Sequence, residues 1–102
     1  MIKRRKKALD ILEKELGPLT FGDMIKTIRL CEEWTQAEMA KKLNISCQNL
    51  CDIEKERKLV SPERAAKFAK ILGQPVEFFI QISIQDSINQ AGLPFKIEVK
   101  AS

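Results

Sequence analysis

Within the stretch "ISCQNLCDIE", residues 45–54, four side chains are suited to directed polar chemistry: Cys47, Gln48, Asn49 and Asp52. Gln and Asn carry a donor and an acceptor on one planar group, the pattern that pairs with the N6 and N7 edge of adenine in a DNA major groove. Asp only accepts; it suits the amino group of cytosine, or repels sites that offer it no donor. A structural helix could carry Lys or Glu at these positions equally well, but amides are the better base readers. The helix that these residues open also has free N–H groups and a dipole at its N-terminal end, which suit the approach of a phosphate.

Other chemistries are poorly supplied. The chain has three cysteines, Cys31, Cys47 and Cys51, and no histidine. A structural zinc site wants four ligands, and an odd cysteine count argues against a disulfide framework. The plain reading of the three is small, half-buried side chains. There is no Gly-rich phosphate loop and no nucleophile with a base partner, so no catalytic residue, metal or cofactor is expected. Cys47 at a helix N-terminus keeps redox sensing open as a minor reading.

The elements that must hold these residues follow from caps and periodicity. Thr35 with Glu38 forms a capping box, Ala37, Met39, Ala40 and Leu43 repeat at helical spacing, and Asn44 is a residue that tolerates a left-handed stop. Ser46 caps the next helix, with Leu50 and Ile53 turned inward. Helices of about eight residues are marginal in water and persist only by packing. Ala40 allows close approach of a neighbouring helix, and Ile45 is placed to plug the corner between the two. The pattern predicts a helix-turn-helix that holds the first turn of its second helix away from the body.

Three further helices flank this pair. Thr20, with Asp23 three residues on, opens one that carries Phe21, Met24, Ile25 and Ile28 and ends near Glu33. Ser61 and Pro62 open another that Gly73 closes. Pro75 to Ile88 reads as the last, with a broad apolar face. The tail then alternates, Phe95, Ile97 and Val99 on one side and Lys96, Glu98 and Lys100 on the other, a period of two that reads as a short β-strand without a partner. At the other end, Lys7 to Leu16 has helical spacing behind the basic run "KRRKK". That run has three readings: an arm along phosphates or the minor groove, a solvated tail, or part of a partner contact.

The expected fold is therefore all-α with five helices, an N-terminal helix or arm and a short C-terminal β-strand. Its parts are a basic N-terminal arm and short helix over 1–19, the helix-turn-helix domain over 20–80, and the end of the fifth helix with the strand over 81–102. The unpartnered strand and the broad apolar helix call for a two-fold dimer or a partner protein. Phe78, Phe79, Ile82, Phe95, Ile97 and Val99 are the expected contacts. The alternative for the two phenylalanines is that one is core and the other half-exposed.

At 102 residues, 44% hydrophobic and 31% charged, the chain suits a single globular domain. Its net charge of +4 permits nucleic-acid binding without demanding it. No apolar run approaches the ~20 residues of a membrane span and no secretory signal is evident, so no membrane role and a cytoplasmic location are expected.

The pattern "TQAEMAKKLNIS" followed by Leu50 and Asp52-Ile53-Glu54 resembles the helix-turn-helix of the lambda-repressor/Cro (XRE) family over about Phe21 to Phe79. The resemblance implies a lambda-repressor-like domain that binds double-stranded operator DNA. It makes Cys47, Gln48, Asn49 and Asp52 the base-facing set. It places Gln36, Lys55, Arg57 and Lys58 at phosphates together with Ser46, gives Gln36 a second role bracing the recognition helix, and pairs Arg29 with Glu54 in a partly buried salt bridge. Two positions depart from the family: Asn44 and Glu56 stand where glycine is usual, the second close to expected phosphates. The segment from "VSPERAAKFAKILGQP" to the tail "AGLPFKIEVKA" is similar to HigA-type antitoxins, which repress their own operon as dimers and bind a ribonuclease toxin. The resemblance thus implies a homodimer, with a ribonuclease toxin as protein partner.

Overall fold

Four hydroxyl side chains, Thr20, Thr35, Ser46 and Ser61, cap the starts of the first four helices. In a computed structural model, described here for residues 19–100, five helices form: α1 Phe21–Cys31, α2 Gln36–Leu43, α3 Cys47–Glu54, α4 Pro62–Leu72 and α5 Val76–Gln90. The expected N-terminal arm and its short helix lie outside the described residues.

Each short helix is stopped and started by its own chemistry. Thr35 accepts the Glu38 N–H at 3.1 Å, and the Glu38 carboxylate accepts the Thr35 N–H at 2.9 Å. The box satisfies two of the N–H groups that a helix start leaves without partners. Asn44 takes the left-handed conformation (φ 58°, ψ 44°) that closes α2, and Ser46 then caps α3 by accepting the Asn49 N–H at 3.0 Å. Gly73 ends α4 in the same left-handed region (φ 66°), after Ser61 and Pro62 began it.

The core gathers Met24, Ile25 and Ile28 of α1, Met39 of α2, Leu50 of α3 and Phe79 of α5, each 1% exposed or less. Phe79 stacks edge-to-face on Phe21, with ring centroids 5.6 Å apart. The start of α1 is tied to the far end of α5 as well: the Phe21 N–H donates to the Asp86 carboxylate at 2.8 Å. The Thr20–Asp23 cap is thus only half a box, Thr20 accepting the Asp23 N–H at 3.1 Å while Asp86 takes the neighbouring donor. α4 and α5 make the most extensive helix pair; α1 packs on α5, α2 on α4, and α3 on α1 and α2.

Two expectations are corrected. The C-terminal β-strand does not form among the described residues. Residues 93–100 run extended beside α5, where Gln85 Nε2 donates to the Phe95 carbonyl at 2.8 Å and Gln85 Oε1 accepts the Ile97 N–H at 2.8 Å. One side-chain amide thus does what a neighbouring strand would do, and a lone extended segment has no sheet to join. The second correction concerns Phe79 and Ile82, expected at a partner contact. Phe79 is 0% and Ile82 8% exposed, because the apolar face of α5 is used against α1 and α4. Phe78 is half-buried at the edge of the same core.

Candidate nucleic-acid interface

The exposed turn is built from the core outward. Leu50 and Ile53 sink one face of α3, at 0% and 2% exposure. Gln48, two positions before Leu50, must then face outward, by the 3.6-residue period. Cys47 and Gln48 are exposed there, with Ser46 beside them; Asn49 and Asp52 are half-buried along the flanks. Lys55, Arg57 and Lys58 are exposed on the loop that follows.

A buried ion cluster fixes how far α3 can move. Arg29 of α1 grips Glu54 at the end of α3 with two parallel bonds, Nε to Oε2 at 2.8 Å and Nη2 to Oε1 at 3.1 Å. Gln36 of α2 donates to the same Oε1 at 3.2 Å, and Arg29 Nη1 donates to the Trp34 carbonyl at 3.1 Å. The Glu54 side chain is only 3% exposed, so its charge depends on these partners. α1, α2, α3 and the turn between the first two are thereby held by one carboxylate. Gln36 is placed to brace α3 through Glu54, and is half-buried.

The exposed polar groups are also paired with one another. Gln48 Nε2 donates to Asp52 Oδ1 at 3.0 Å, one helical turn on, and Arg57 Nη1 lies 3.5 Å from the same oxygen. Lys58 Nζ donates to Asn49 Oδ1 at 3.3 Å. The chemistry fixes both amides. A carboxylate accepts only, so Gln48 must turn its nitrogen inward; an ammonium donates only, so Asn49 must offer its oxygen. That bond uses one Gln48 N–H and leaves the exposed side chain its carbonyl and a second N–H, the pair that adenine requires. The spacing of four between Gln48 and Asp52 was a signal in the sequence for this contact. Lys58 against Asn49, nine residues apart across a turn, had none.

One backbone feature was not visible in the residue pattern, and a second was signalled by the glycine usual at its position in the family. Gly22, in the first turn of α1, packs so tightly on the end of α3 that a side-chain carbon there would collide with the Ile53 carbonyl. Glu56 stands in the left-handed region (φ 61°), the conformation that glycine adopts freely. Its carboxylate joins Asp23 and burial in pushing the Asp86 pKa up; burial is the largest cause, and the bond from the Phe21 N–H works against it. Among the described residues no group of three or more His, Cys, Asp or Glu is placed to hold a metal ion, and no helix is long and apolar enough to cross a membrane.

A short α2, a left-handed turn at Asn44 and an α3 held out by its first turn are a helix-turn-helix in three dimensions. A family model described as helix-turn-helix matches residues 25–79, more than half of the chain. The chain belongs to the XRE-type helix-turn-helix family. The family is one of DNA-binding regulatory domains, generally non-enzymatic, and transcription regulation is its field. Comparisons with curated proteins and with solved structures give no match.

Proposed function

We propose that this helix-turn-helix protein is a sequence-specific transcriptional repressor that binds a palindromic operator as a dimer. The observation that carries the reading is the exposed first turn of α3, where Gln48 retains an acceptor and a donor beyond its bond to Asp52. Cys47, Asn49 and Asp52 complete the base-facing set. Ser46, Lys55, Arg57, Lys58 and Gln36 take phosphates, and the net charge of +4 favours the approach. Two-fold protein symmetry matches the symmetry of a palindrome.

The narrower reading is the autoregulating antitoxin of a toxin–antitoxin pair, with a ribonuclease as partner protein. It is supported by the likeness of the C-terminal segment to HigA-type antitoxins and by the exposed apolar residues Leu93 and Phe95, 45% and 62% exposed. A stand-alone or phage-type regulator is the alternative, separated by whether the product of the adjacent gene co-purifies.

A second class, a protein-interaction module with weakened DNA binding, draws on one feature. Asp52 and Glu56 place negative charge beside the reading surface, and Asp52 already occupies Gln48 and Arg57. Band-shift with DNA from upstream of the protein's own gene, over a series of salt concentrations, decides between them. A shift that weakens as salt rises supports the repressor. Absence of any shift at low salt, on this and on random DNA, sinks it in favour of the interaction module.

A further inference from the structure

The backbone of the tail has one occupied edge and one open edge. In an extended chain the N–H and C=O of one residue point to one edge, and those of the next residue to the other. The Phe95 carbonyl, the Ile97 N–H and the Val99 N–H all bond to α5, through Gln85 and, at 3.4 Å for Val99, through Gln81 Oε1. The odd-numbered residues therefore use the edge toward α5. The N–H and C=O of Lys96 and Glu98 face away, and among the described residues no backbone hydrogen bond reaches them. Ile97 and Val99 are half-buried on one face, Phe95 remains 62% exposed, and Lys96 and Glu98 point to solvent on the other face.

We infer that this open edge is filled by the same segment of a second copy, running antiparallel and centred on Ile97. The inference rests on the dimer in the proposed function and gives that dimer an interface. Because only the even residues offer free groups, an antiparallel copy must set even residues opposite even residues. Centring on Ile97 puts Lys96 opposite Glu98 of the other copy, twice by symmetry. On the other face Phe95 meets Val99, Ile97 meets Ile97, and Val99 meets Phe95. Opposite charges directly across are favourable, and apolar cross-strand pairs add to them. The neighbouring registers fail on charge: one sets Lys96 against Lys96, the other Glu98 against Glu98. A register centred on Val99 restores opposite charges at Glu98 and Lys100 but sets Ile97 against Ala101, a much smaller apolar contact.

The register is tested by charge exchange in the full-length protein, with the dimer constant read by sedimentation equilibrium. Lys96→Glu and Glu98→Lys should each weaken dimerisation by about tenfold, each creating two like-charge pairs. The double variant should recover the wild-type constant. A mixture of the two single variants should form a heterodimer, because each then supplies what the other lacks. Both side chains are exposed, so helix content by circular dichroism should not change. A wild-type monomer, single variants that dimerise like the wild type, or a double variant that fails to recover would each overturn the inference. DNA binding is scored separately by band-shift, so a failed interface and a failed DNA-binding reading give different results.

Discussion

At the scale of single residues, the same charge has opposite meanings in different surroundings. Arg29 is a structural cation: it is gripped between Glu54 and the Trp34 carbonyl, and removing it would strand a carboxylate that is 3% exposed. Arg29→Ala should therefore cost about 3–5 kcal/mol of stability, read by chemical denaturation, with any loss of DNA binding following from unfolding. Glu56 is strained instead. A left-handed non-glycine residue costs about 1–2 kcal/mol, part of which a glycine would give back through the freedom of the unfolded chain. Glu56→Gly should raise stability by roughly 0.5–1 kcal/mol on that balance. It should also strengthen binding to all DNA alike, since it removes a negative charge near the phosphates. A less stable Glu56→Gly protein would mean that the carboxylate does something here beyond straining its backbone. The pairing of Gln48 with Asp52 was legible in the spacing, whereas Arg29 and Glu54, 25 residues apart, were reached only through the family resemblance.

At the scale of elements, the local signals were legible and the distant ones were not. Thr35, Asn44, Ser46, Ser61 and Gly73 act within four residues of themselves, so the sequence placed the ends of α2, α3 and α4 closely. Asp86 lies 65 residues from the N–H it caps, and no local pattern could announce that. The tail shows the same division. Its alternation was visible, but what it would pair with was not, and a side-chain amide of α5 took the place of a strand. Gly22 read as an ordinary position in the first turn of α1; only the packed helices show that α1 approaches the end of α3 too closely for a side chain. Gly22→Ala should destabilise the fold by about 1–3 kcal/mol through overpacking, although alanine is the better helix former. A neutral or stabilising effect in thermal denaturation would refute the close approach.

Asp86 also sets a dependence on pH. Its pKa is raised in the folded chain, chiefly by burial, so the folded state holds the proton more readily than the unfolded state does. Its contribution to stability is then complete below the ordinary aspartate value and is lost as pH rises through the raised value. Glu38 works in the opposite sense: the Thr35 N–H, the Thr35 side chain and Lys42 lower its pKa, and its contribution is lost as pH falls. Asp86→Asn keeps an oxygen for the Phe21 N–H and removes the charge. It should be at least as stable as the wild type at neutral pH and should lose the decline between acidic and neutral conditions, measured as denaturation midpoints across pH. A strongly destabilised Asp86→Asn protein would show that the ionised carboxylate is needed.

At the scale of the whole molecule, the parts divide into a rigid reader and an unfinished edge. The reader is α1 to α3, locked by Glu54 and seated on α4 and α5. The edge is the tail, satisfied on one side only. The broad apolar face of α5 looked like a surface for a partner in the sequence; folding uses that face inside the chain, with Phe79 at 0% exposure, and leaves the tail as what remains for a second copy. Hydrophobic residues announce that something will cover them without saying whether it is the same chain. Sequence-specific DNA binding by the reader is what the repressor role requires. It is tested most directly by selecting bound duplexes from a randomised pool with the wild type, Gln48→Ala and Arg57→Ala. The wild type should select a palindromic motif. Gln48→Ala should lose preference at one position in each half-site at a cost of about 1–3 kcal/mol, while Arg57→Ala should keep the motif and weaken all sequences alike. Recovery of the same motif at the same strength by Gln48→Ala, or of no motif by the wild type, would contradict it.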